Sequence, residues 1–157
     1  MKKFLIIVVI VAICLLSSCS KQKEFRIPQN LSSSILAMQP AELYDLITME
    51  KVDEILGSKV SDGVAALYQD GGKSVVVYVG CFSSTIKGRM FFEGMALKSV
   101  FSIKNYSESM SGGMLEIEKR MEKVYILWDR FYAIIIRGDK ELSKDIYETY
   151  IRLFSSY

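Results

Sequence analysis

A single α+β domain is the fold that this sequence predicts over residues 40–157: a mostly antiparallel sheet packed with an N-terminal helix, a C-terminal helix and a candidate middle helix. Three observations predict it. Apolar runs at residues 60–69 and 73–82 flank Asp70-Gly71-Gly72, whose residues tolerate the positive φ of tight hairpin turns. Short apolar segments broken by polar residues then recur between residues 100 and 137, as in successive strands. The chain closes with apolar residues at helical spacing over residues 140–154. At about 120 residues, the region is long enough for one hydrophobic core.

The elements follow in order. Pro40 suits the first turn of a helix, good helix formers continue through Ala41-Glu42-Leu43, and Gly57 follows Leu56, so residues 40–56 are expected to be helical. In the second strand of the hairpin, Val75, Val77, Val79 and Cys81 would face one way and Val76 and Tyr78 the other. Both faces are apolar, which predicts a central strand covered on both sides and puts Cys81 in a core as a small hydrophobe. Over residues 83–98, Ile86, Met90, Met95 and Leu97 suggest a helix, although Gly88 and Gly94 each cost it about 1 kcal/mol against alanine. A strand through Arg89-Met90-Phe91-Phe92 is the alternative, with helix preferred.

Further strands are expected at residues 100–106, 114–119, 123–128 and 131–137. Leu115 and Ile117 alternate with Glu116 and Glu118, giving one solvated face, and Asp129-Arg130 reads as a second hairpin turn. Asp139 is a natural cap for the last helix, whose stripe is Leu142, Ile146, Tyr150 and Leu153. Arg137-Gly138-Asp139 matches a cell-adhesion tripeptide, but a strand end, a turn and a helix cap account for the same residues.

Ahead of the domain, Lys2 and Lys3 precede an uncharged apolar run from Phe4 to Leu16. A basic start and a short apolar core are the build of an export signal, too short for a membrane span of about 20 residues. Leu16-Ser17-Ser18-Cys19 follows: one branched apolar residue, two small residues and a cysteine. This resembles the lipobox of bacterial lipoproteins. The resemblance implies cleavage between Ser18 and Cys19, with residues 1–18 removed and diacylglyceryl attached to the Cys19 sulfur. Residues 19–39 then read as a lipidated tether, polar at first. Leu31, Ile35, Leu36 and Met38 leave open that part of it lies along the domain.

Of 20 Lys and Arg against 18 Asp and Glu, only Lys2 and Lys3 fall within residues 1–18, so the rest of the chain is charge-balanced. That gives no electrostatic footprint for nucleic acid. With Cys14 removed and Cys19 acylated, Cys81 stands alone and has no disulfide partner within the chain. The sequence contains no histidine, which removes Ser-His-Asp and Cys-His catalysis and histidine-ligated metals. No phosphate-cradling or dinucleotide motif is present, and no cofactor is expected. Glu116 and Glu118 could form a carboxylate pair, but a solvated strand face explains them better.

The expected function is therefore that of a membrane-anchored cell-envelope lipoprotein acting as a non-catalytic binding or interaction module. Its expected partners are membrane lipid through Cys19 and an envelope protein, and it would face the periplasm or exterior. An outer-membrane location is favoured where the host has one, because Ser20 is not the aspartate that retains lipoproteins at the inner membrane. A small apolar ligand or lipid is the alternative, with Met90, Phe92 and Met95, and separately Trp128 and Tyr132, as candidate pocket residues. A histidine-independent enzyme is the third reading.

Overall fold

A computed structural model describes residues 24–156; the export segment expected at residues 1–18, with Ser18, and the expected lipidation site Cys19 lie outside the described residues. The chain begins with β1 (Glu24–Phe25), α1 (Ser33–Ala37) and a 3-10 turn at Gln39–Glu42. It continues through β2 (Asp45–Lys51), β3 (Glu54–Ile55), β4 (Ser58–Lys59), β5 (Asp62–Asp70) and β6 (Lys73–Cys81). After α2 (Thr85–Lys98) come β7 (Ile103–Glu108), β8 (Gly112–Glu118), β9 (Lys123–Asp129) and β10 (Tyr132–Gly138). The described chain ends in α3 (Lys140–Phe154) and β11 (Ser155–Ser156).

Seven strands form one antiparallel sheet in the order β2-β5-β6-β10-β9-β8-β7. α1 and α3 cover one face and α2 with the β3–β4 hairpin covers the other, giving the α+β domain that the sequence predicts. The alternation within strands assigns each side chain to a face. Val77, Leu127 and Ile134 bury against Leu36 and Ile146 on the first face. Ile126 and Ile135 bury against Phe91 and Phe92 on the second. Because β9 and β10 are covered on both sides, they are apolar at nearly every position rather than at every other one.

Both predicted hairpins form. Asp70 pairs with Lys73 across Gly71 and Gly72, whose φ values of 54° and 83° fit a two-residue turn. The β9–β10 turn places Arg130 at φ 53°. The choice at residues 83–98 resolves to helix, with Ser84 accepting a hydrogen bond from the Lys87 N–H as its cap. Asp139 caps α3 as expected, accepting from the N–H groups of Glu141 and Leu142.

Two expectations are corrected. The helix predicted over residues 40–56 is instead one 3-10 turn followed by β2 and the β3–β4 hairpin. Pro40 does start a helical turn, but the edge of β5 offers residues 45–51 a ladder of hydrogen bonds broken only at Ile47, and that pairing outweighs local helix preference. Gly57, with φ 86°, turns a hairpin rather than ending a helix.

The tether expected over residues 19–39 is also too long. From Phe25 onward the chain belongs to the domain: Ile27 and Leu36 are buried in the first core. The cause is specific bonding as well as apolar burial. Ser33 N–H donates to Asp62 Oδ2 at 2.9 Å, and the Tyr68 and Tyr150 hydroxyls donate to the Ala37 and Leu36 carbonyls at 2.6 and 2.8 Å.

Candidate functional site

A concave region of the described surface arises where α3 stops covering the sheet. α3 lies over β9, β10 and β6, so the same face of β8 and β7 extends beyond it. Ser107, Gly112 and Gly113 on these strands carry little or no side chain, which leaves a step between helix and sheet. A groove of about 430 Å³ results, with Phe25, Met114, Tyr147 and Ile151 as apolar lining and Arg26, Glu108 and Ser155 at its polar margin. A second lobe of about 260 Å³ continues towards Tyr125 and Glu116, and both lobes share Ser107, Met114 and Tyr147.

Tyr147 divides the two lobes. Its ring stacks on Tyr125 with centroids 4.2 Å apart, and its hydroxyl is directed at the Met114 sulfur. Burial, followed by the neighbouring Tyr125 and Glu116, pushes the Tyr147 phenol up to about 12, so it is neutral across the physiological range. Burial raises Tyr125 as well, against the opposing effect of a hydrogen bond with Lys123.

At the far end, burial acts to raise the Glu116 carboxyl, but hydrogen bonds from Lys123 and Asn105 and the Lys123 charge outweigh it and hold the group below the usual carboxylate range. Lys123 lies 2.6 Å from Glu116, and the pairing raises the Lys123 ammonium. Arg26 reaches Ser111 Oγ at 2.9 Å and Asp129 Oδ1 at 3.3 Å, which fixes the other end. The groove thus joins a neutral aromatic and thioether floor to charged groups held in ion pairs. Such a surface suits binding of an extended, partly apolar segment.

The residues singled out in the sequence lie elsewhere. Phe92 and Trp128 do meet, stacked with centroids 5.6 Å apart, but both are fully buried in the second core. Met95 packs partly against that core, while Met90 is 65% exposed. Tyr132 lies across the sheet in the first core, donating to the Gln29 and Leu31 carbonyls. None of the five lines either lobe.

Glu116 and Glu118 share a face as predicted, yet each is engaged separately, by Lys123 and by Lys140 at 2.9 Å. Cys81 is half-buried, at the margin of the first core. Among the described residues no group of three or more His, Cys, Asp or Glu is placed to hold a metal ion. No described helix is long and apolar enough to cross a membrane.

The chain matches no family model, and no curated protein matches it significantly. Among solved structures it is similar to a GTP binding regulator from Thermotoga maritima, with a TM-score of 0.64 and 15% identity over 86% of this chain and 98% of that one. At this identity the likeness is one of fold.

Proposed function

We propose that this chain is a lipid-anchored binding module of the cell envelope, held by acylated Cys19 and engaging a partner protein along the groove beside α3. The observation that carries the binding role is the groove itself: a two-lobed step with Met114, Tyr147 and Ile151 along it and β7, the edge strand of the sheet among the described residues, beside it. An extended segment laid there would bury apolar side chains on the floor and find main-chain groups at the edge. The anchor rests on Leu16-Ser17-Ser18-Cys19. Two or more acyl chains, at roughly 0.8 kcal/mol per buried CH₂, hold a protein stably to a bilayer.

A photo-crosslinking residue placed at Ser107 in the native lipoprotein should capture one reproducible envelope protein, and Ile151→Glu should abolish the capture. The same probe at Ser74, on β6 away from the groove, should capture nothing in common with it. Identical products from both positions would sink the groove as the binding site.

A small apolar ligand is the second reading, favoured by the same floor. Native mass spectrometry of gently purified protein would reveal its added mass. GTP, named for the Thermotoga maritima structure, fits this groove poorly, because Glu108 and Glu116 line it and no glycine-rich phosphate cradle is present in the sequence. Added GTP should leave the thermal unfolding midpoint unchanged, and a concentration-dependent rise would overturn the peptide reading in favour of a nucleotide.

A further inference from the structure

One end of the sheet gathers features that reach beyond the groove, which shares only Arg26 and Glu108 with them. Arg26, just after β1, reaches Ser111 in the β7–β8 turn and Asp129 at the end of β9. Arg130 N–H donates to the Ser111 carbonyl at 2.7 Å, tying the two turns together. α2 begins at the same end: Gly88 lies so close to the Arg130 carbonyl that an added Cβ would come within 2.5 Å of it, and Arg89 pairs with Glu108 at 3.3 Å. The point where the chain enters the domain, two hairpin turns and the start of α2 therefore share one pole.

That pole leaves large apolar side chains in water. Ile86 is 71% exposed, Met90 65% and Met110 93%. Basic residues accompany them, with Lys87 and Arg89 on α2 and Arg26 and Arg130 at the turns; Asp129 takes up Arg26 and Arg130, and Glu93 and Glu108 pair with Arg89, so the bases exceed the acids by one. Lys21 and Lys23 immediately precede β1 in the sequence. Cys19 lies only five residues before Glu24, a reach of at most about 18 Å.

We infer that this pole rests on an anionic phospholipid surface, with Ile86, Met90 and Met110 lodged among the headgroups and the neighbouring basic residues facing lipid phosphates. The inference rests on the lipid anchor at Cys19. An anchor of that length brings this end of the domain, and not the opposite one, to the bilayer. A second copy of the chain is the poorer occupant, because two such poles would oppose like net charge, whereas anionic headgroups attract the basic excess and the lysines Lys21 and Lys23 that follow Cys19 in the sequence. Apolar insertion and basic contact would supplement the acyl chains and fix the domain's orientation.

The test uses the lipidated protein in vesicles of phosphatidylglycerol and phosphatidylcholine with brominated acyl chains. Met110→Trp places a reporter at the pole and Phe101→Trp places one beyond the other end of α2; both positions are fully or almost fully exposed, and buried Trp128 gives a constant background. Quenching at position 110 should exceed that at position 101 by about twofold, and Ile86→Glu with Met90→Glu should remove the difference. Equal quenching, or stronger quenching at position 101, overturns the inference. Palmitate labelling of Cys19→Ala tests the anchor separately. Label retained by that variant defeats the anchor and this inference together, whereas a lost label with equal quenching defeats the inference alone.

Discussion

Asp129 ends β9 with its side chain fully buried, and three partners converge on it. Ile27 N–H donates to it at 2.7 Å, Arg26 at 3.3 Å, and Arg130 twice, at 3.0 and 3.1 Å. Burial of a carboxylate is tolerable only with such saturation. Replacing it with alanine leaves the buried Ile27 N–H without its acceptor and takes the shared carboxylate from both guanidinium groups, so Asp129→Ala should cost about 3 kcal/mol, read as a lower urea midpoint. Asp129→Asn should recover part of the loss by keeping the bond from Ile27. A loss below about 1 kcal/mol would mean that the cluster behaves as an exposed ion pair. The sequence marks Asp129-Arg130 as a turn, and Arg130 at φ 53° agrees. Its partner Ile27 lies 102 residues away, and no local pattern points to it.

At the scale of elements, α2 separates two glycines that the sequence treats alike. A Cβ on Gly88 would meet the Arg130 carbonyl at 2.5 Å and Trp128 Nε1 at 2.8 Å, whereas one on Gly94 would meet nothing within 4 Å. Gly94→Ala should therefore stabilise the protein by up to about 1 kcal/mol through helix propensity. Gly88→Ala should destabilise it despite the same propensity gain, since the sheet must move away from the helix. Thermal unfolding of the two variants checks the opposite signs, and shifts in the same direction would refute the close packing of α2 on the β9–β10 turn.

The same contrast shows what was legible in the residues. The Asp70-Gly71-Gly72 hairpin, the strands around residues 123–138 and the capped helix from Lys140 follow from local chemistry that tertiary contacts reinforce. Residues 40–56 did not, because helix-forming residues there were drawn into pairing with β5. The groove was equally hidden. Phe25, Met114 and Ile151 belong to separate stretches of sequence, and the space between them exists because α3 stops short of β8. The aromatic and methionine cluster at residues 90–95 stood out in the sequence, but much of its apolar character serves the second core.

Across the whole molecule, the absence of histidine gives stability an unusual dependence on pH. Among the described residues the folded state holds three carboxyls below their usual range. Burial opposes this at Glu116, but the bonds from Lys123 and Asn105 prevail; Glu118 is held by Lys140, and Glu122 chiefly by Arg137. Their contribution is present above the unfolded carboxyl range near pH 4.3 and is lost as pH falls through the lower folded values, because the unfolded chain binds protons first. At the other extreme, burial raises Tyr68 and Tyr147 to about 12, and Tyr150 well above its ordinary value. These groups favour the folded state fully below about pH 10, and that advantage drains away as unfolded tyrosines ionise above it. With no imidazole titrating between the two limits, the unfolding temperature should form a plateau from about pH 6 to pH 9, falling on both sides. Tyr68→Phe would soften the alkaline limb while leaving the acid limb in place, and Glu122→Gln would do the reverse. A midpoint that drifts steadily through pH 7 would show that some group outside these carboxyls and phenols governs the balance.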